Sequence, residues 1–128
     1  MPRYNKNDIK ELKEFLCNSY VHDAKLKIIS YNCSEGSIRI ELFNPIFDVK
    51  IDLIFLDTVI TLAVKGEWSE NRETIISLTA EDDFSYLENY FIRHGEYMQD
   101  SLYMLFQMFS GDELHIVSKE VITYVNNN

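Results

Sequence analysis

Apolar residues recur through the first twenty positions with the period of a helix. Ile9, Leu12, Phe15, Leu16 and Tyr20 share one face, and Lys10, Glu11, Lys13 and Glu14 share the other. The spacing predicts one amphipathic helix, capped by Asn7 or Asp8, with Glu11 three residues beyond Asp8 as the reciprocal half of a capping box. After Asp23 the period changes to alternation, so strands begin there. "AKLKIISYN", the turn residues of "CSEGS" and the strand "SIRIELF" predict a hairpin at Gly36, with Ile38, Ile40 and Leu42 set against Arg39, Glu41 and Phe43. "NP" at 44 and 45 is a turn signal, and "FDVKIDLIF" then alternates Val49, Ile51, Leu53 and Phe55 against Asp48, Lys50 and Asp52. "DTVITLAVKG" continues as strand past a bend near Asp57, and "GEWSENRE" is a polar loop leading to the strand "TIISLT".

The next stretch, "TAEDDFSYLENYFIRHG", predicts a second helix. Thr79 or Glu81 lies near its start, Phe84, Leu87 and Phe91 share a face, and Arg93 and His94 precede Gly95. "SLYMLFQMF" satisfies both a helix and a strand buried on two faces, and strand is the expectation. "SGDE" is hairpin chemistry, and the "LHIVSKEVITYV" beyond it is rich in β-branched residues. The fold class is therefore α+β in a single domain over 1–128. An N-terminal helix, a mainly antiparallel curved sheet or partly open barrel of about six or seven strands, and a second helix inserted before a C-terminal hairpin are expected. Sequential antiparallel pairing is the economical topology.

Composition narrows the function classes. The 13% aromatic content, with eight Tyr and eight Phe against four Gly and two Pro, favours strands over disorder. Acids outnumber bases 21 to 12, giving a net charge of −9. Counterion release from a phosphate backbone therefore cannot drive binding unless the few cations cluster, and nucleic acid is not an expected partner. The same charge favours a basic partner and disfavours an anionic membrane, although solubility alone explains many acidic chains. No segment approaches the roughly 20 apolar residues of a membrane span or carries a secretory core, so a cytoplasmic location is expected. Cys17 and Cys33 form no CxxC pair and read as buried free thiols, and Asn32-Cys33-Ser34 is a formal glycosylation acceptor with no meaning inside a cell.

Candidate chemistry is sparse. His22 and Asp23 stand together where the helical period ends, and adjacent residues in extended chain point opposite ways, so a hinge explains them better than a base or a metal ligand. His94 fits a helix C-terminus, and His115, between Leu114 and Ile116, is directed to the polar side of a strand. Glu81-Asp82-Asp83 and Asp112-Glu113 look like caps and turns. No nucleophile elbow, phosphate-cradling glycine loop, dinucleotide fingerprint or metal spacing is present, so no catalytic residue, metal or cofactor is expected. Trp68, in a charged loop with Glu67 and Glu70, is the bet for an interface anchor with acidic neighbours, against the alternative that it folds over the end of the sheet. Tyr86, Tyr90, Tyr97, Tyr103 and Tyr124 invite a ligand cup or a contact surface, but covering a sheet explains most of them.

"HDAKLKIISYN", the "IRIELFNP" hairpin and the "FSGDELHIV" hairpin together resemble small bacterial β-rich domains, including some grouped with toxin-immunity proteins. The resemblance implies a compact, acidic, non-enzymatic binder and carries no functional residue across. The leading expectation is a cytoplasmic protein-interaction domain, monomeric or homodimeric, that neutralises a basic partner in the manner of an immunity protein. The alternative is a small-molecule-binding or enzymatic domain, with a pocket between helix and sheet where a histidine and carboxylates converge.

Overall fold

The computed structural model of this chain describes residues 2–17, 20–32, 34–64, 74–81, 84–88, 100–108 and 111–127. A short strand β1 (Arg3–Tyr4) and a 3-10 turn (Lys6–Asp8) lead into helix α1 (Ile9–Leu16). Strands β2 (Lys25–Asn32), β3 (Ser37–Asn44), β4 (Val49–Val64) and β5 (Ile75–Glu81) follow, then one helical turn α2 (Ser85–Glu88), then β6 (Leu102–Met108) and β7 (Glu113–Asn127). Among the described residues these seven strands form one antiparallel sheet in the order β2-β3-β4-β7-β6-β5, with β1 beside β7. Sequential pairing holds within β2-β3-β4 and within β5-β6-β7 but fails between β4 and β5. Length explains the departure: β4 and β7 run 16 and 15 residues and pair from Val49↔Asn127 to Val64↔Glu113, a ladder the seven-residue β5 cannot offer.

The sheet curls into a half-barrel. Its edges meet at one end, where Lys25 bridges Thr74 and the Ile75 amide donates to the Ala24 carbonyl at 3.0 Å. The expected bend in β4 is there: Asp57 is left-handed at φ 51°, and the register with β7 shifts between Thr58 and Ile60. A bulge of this kind bends its strand and re-aims the side chains beyond it. The concave face buries Ile38, Ile40, Leu42, Ile51, Leu53 and Phe55, and Leu12 and Leu16 of α1 pack into the same core beside β5.

Several boundaries differ from the sequence expectation. Asp8 holds the N-cap position of α1, as one of the two expected caps, but its side chain makes no cap bond there; the capping box belongs to the 3-10 turn, where Asn5 Oδ1 accepts from the Asn7 amide at 2.8 Å and the Asn5 amide donates to Asp8 Oδ2 at 3.0 Å. Asn5 has the extended backbone a cap requires, so Asp8 is the reciprocal half of that turn's box, and Glu11 is not part of it. Helix α1 ends at Leu16, leaving Tyr20 in the following turn, and Cys17 at the C-cap is exposed rather than buried. Thr79 and Glu81 belong to β5, where they pair with Leu105 and Tyr103, instead of opening the second helix. Phe91, Arg93, His94, Gly95, Cys33 and the "GEWSENR" loop lie outside the described residues. The ambiguous "SLYMLFQMF" holds strand β6. It does not alternate because Leu102, Met104 and Phe106 enter the main core while Tyr103 is buried on the opposite face.

Asn44 joins the two ends of this N-terminal half. It is fully buried; its Nδ2 donates to the Tyr20 and His22 carbonyls at 3.0 and 3.2 Å, and its Oδ1 accepts from the Ile46 amide at 2.9 Å. Asn44→Ala removes three part-buried hydrogen bonds and empties a fully buried side-chain site, and is expected to cost roughly 2–4 kcal/mol in urea denaturation. Asn32→Ala, which removes an exposed turn bond to the Ser34 amide, is expected to cost less than about 1 kcal/mol. Equal costs for the two would contradict the role given to Asn44.

Candidate functional site

The described structure separates the sequence candidates. Trp68, Glu67, Glu70 and His94 lie outside the described residues. His22 and Asp23 sit in the turn between α1 and β2, with Asp23 left-handed at φ 64° and the two side chains 3.7 Å apart, both largely exposed. They form a turn, whose Tyr20 and His22 carbonyls accept from Asn44 at the end of the neighbouring strand β3. A small hollow of about 180 Å³ touches His22, but its other described lining residues, Leu16, Val21, Ile75, Ser77 and Leu78, supply no carboxylate or second histidine. Among the described residues no three His, Cys, Asp or Glu side chains gather where an ion could be held.

His115 is the residue that the strand pattern misplaced. It does point away from Leu114 and Ile116, but that side of the sheet is covered, and the ring is 0% exposed. Direct cross-strand partners share a face, so Glu113, His115 and Val117 of β7 stand beside Gln107, Leu105 and Tyr103 of β6. Helix α2 lies over them with Phe84 just before it: Leu87 packs on Tyr103 and Val117, and Phe84 stacks on Tyr103 at 6.0 Å. The imidazole is stacked against both Tyr86 and Tyr103, with centroids 5.8 and 5.7 Å away.

The polar contacts are as close as the stacking. The Tyr103 hydroxyl lies 2.6 Å from His115 Nδ1, and His115 Nε2 lies 3.3 Å from Glu113 Oε1. Glu113 Oε2 accepts from the Tyr86 hydroxyl at 2.5 Å and from Gln107 Nε2 at 3.3 Å. This arrangement suits a neutral ring with its hydrogen on Nε2 and Tyr103 donating to Nδ1. Burial pushes the His115 proton affinity below its ordinary value, and the Glu113 carboxylate opposes that shift without cancelling it. A histidine and a carboxylate thus converge between α2 and the sheet, with the Tyr103 ring buried against the imidazole and the Tyr86 ring, 37% exposed, also stacked on it.

Open space lies at the other end of the sheet. Ile29 and Tyr31 of β2 pair with Ile40 and Ile38, so they belong to the core face, yet they are 45% and 59% exposed. With Ile38, Thr58 and Val59 they line a groove of about 440 Å³. The Thr58 amide donates to the Gly36 carbonyl at 3.0 Å, which brings Asp57 and Glu35, the exposed residues preceding each, to the same end of the sheet. Neither has an ion-pair partner among the described residues, whereas Glu41 and Asp52 are engaged by Lys50 and Arg39 at 3.1 and 3.2 Å. Val59 connects the two sites, lining the groove and also packing against the Leu87, Tyr103 and Val117 cluster.

No protein-family model, curated protein or solved structure matches this chain. No described helix is long and apolar enough to cross a membrane.

The His115 environment sets a pH dependence. The unfolded ring binds a proton near its ordinary value of 6.5, and the buried ring does so only at lower pH. In that interval the unfolded chain holds more protons, so stability is full above the ordinary value and falls as the pH drops below it. The urea midpoint is expected to decline between about pH 7.5 and about pH 5.5, and His115→Gln is expected to remove that part of the slope. A His115→Gln chain with the parent's slope would contradict the assignment.

Proposed function

We propose that this chain is a non-enzymatic protein-interaction domain that docks an extended segment of a basic partner in the groove between β2, β3 and β4. The observation that carries the reading is the exposure of Tyr31 and Ile29 on a face that is core elsewhere, beside the acids Glu35 and Asp57. Large amphipathic side chains in a concave site are the usual anchors of an interface, and acids at its margin raise the encounter rate of a cationic partner. The net charge of −9 adds to that steering. Tyr31 takes the anchor role that sequence reasoning gave to Trp68, with Glu35 and Asp57 beside it as acidic neighbours. Neutralisation of a basic partner in the cytoplasm, in the manner of an immunity protein, is the biological form of this reading.

Peptide titration followed by amide resonances tests it. The probes are ten-residue peptides alternating lysine with valine or phenylalanine, and controls in which glutamate replaces lysine. The basic probes are expected to shift Ile29, Tyr31, Thr58 and Val59 and to bind more weakly as salt rises. Tyr31→Ala is expected to weaken them by roughly five- to thirtyfold, as for a central anchor. Glu35→Gln with Asp57→Asn is expected to flatten the salt dependence. Binding that ignores Tyr31, or that favours the acidic controls, would overturn the proposal.

A further inference from the structure

The buried cluster around His115 has no part in docking by itself, yet it shares Val59 with the groove. Among the described residues, two kinds of contact join helix α2 to the sheet. One is apolar, Leu87 on Tyr103 and Val117; the other is polar, the Tyr86 hydroxyl on Glu113 Oε2 at 2.5 Å. The polar contact is tied to the imidazole, because the same carboxylate faces His115 Nε2 and the ring's other nitrogen receives the Tyr103 hydroxyl at 2.6 Å. Adding a proton puts a hydrogen on Nδ1, so Tyr103 must turn its own hydrogen away. It also leaves a cation where water is excluded. The described groups facing the ring are Glu113 on its own strand, Tyr103 and Gln107 on β6, and Tyr86 on α2. β4 sets the uncharged Leu62 opposite His115, and Glu81 of β5, opposite Tyr103, lies 3.6 Å from Lys13. Glu113 is thus the one described carboxylate able to offset the new charge, and desolvation outweighs it. A state with α2 lifted hydrates the ring and its carboxylate together, so acid favours that state.

We propose that the cluster is a proton-operated latch: protonation of His115 frees α2 from the sheet and, through Val59, loosens one wall of the groove. The second half rests on the reading of the groove as the docking site; the first does not. Acidification is then a signal that releases a docked basic segment, with the packed tyrosines as the element that opens.

Hydroxyl-radical footprinting of the full chain without any peptide tests this, with each side chain read by mass spectrometry. Tyr103 lies under α2, whereas its neighbour Met104 lies in the main core, so Met104 reports global unfolding. Below about pH 6.5, Tyr103 labelling is expected to rise by up to about tenfold per pH unit, the limit for one coupled proton, while Met104 stays protected. Val59 labelling is expected to rise with Tyr103. His115→Gln should hold Tyr103 labelling low at both pH extremes. Tyr86→Phe, which leaves His115 in place, should raise Tyr103 labelling at neutral pH already. The latch is overturned if Tyr103 labelling is flat with pH, if it rises only together with Met104, or if Tyr86→Phe labels no more than the parent; the last outcome decides even when His115→Gln does not fold. A constant Val59 beside a rising Tyr103 overturns the link to the groove. None of these readings changes if the peptide titration finds no Tyr31-dependent binding, so the two ideas fail separately.

Discussion

The β4–β7 ladder is the constraint on which the rest of this structure depends. Each of its strands also carries one flank of the sheet: β4 holds β3 and through it β2, while β7 holds β6 and through it β5. The two three-stranded units are sequential within themselves, and this one long pairing makes them a single curled sheet. Joining distant segments in this way costs loop-closure entropy before any contact is made, and the length of the ladder offsets that cost.

The same pairing gives the two halves different outer faces. On β3 and β4 the outer positions are Arg39, Glu41, Lys50 and Asp52, in which Arg39 and Lys50 pair with the acids and cover the buried Asp52 carboxylate. On β6 and β7 the outer positions are Tyr103, His115 and Val117, which are buried, and Leu105, which is half-buried, with Leu87 of α2 and Phe84 packed in the same cluster. The half of the sheet with a dry outer face carries the buried histidine, and the half with a charged outer face carries the exposed aromatic groove. Val59, just past the bend at Asp57, stands between them.

Much of this was legible in the residue pattern. Alternation located β2, β3 and the first half of β4, and the bend near Asp57 was visible as a break in it. The turn at His22 and Asp23 followed from the change of period. Strand order was not legible, because alternation reports which face a residue takes and is silent about which strand lies beside it. His115 shows the same limit. Its direction relative to Leu114 and Ile116 was right, but whether that direction is wet depends on α2. A usable signal existed in β6, where Leu102, Tyr103 and Met104 are apolar without a break, as a strand covered on both sides must be. The capping box at Asn5, one turn before the helix, was missed because Asp8 and Glu11 satisfy the same spacing rule. The groove was missed because nothing within "AKLKIISYN" sets Ile29 and Tyr31 apart from core positions, and only the folded sheet shows that they are 45% and 59% exposed on the core face.

Interstrand nuclear Overhauser contacts, recorded together with amide exchange rates, test the β4–β7 ladder most directly. The pairing predicts contacts at Leu53↔Thr123 and Phe55↔Val121, with the amides of these two strands exchanging slowest in the chain. Contacts running from β4 to β5 instead, with β7 exchanging as an edge strand, would contradict it and take the shared wall of the groove and the buried cluster with it.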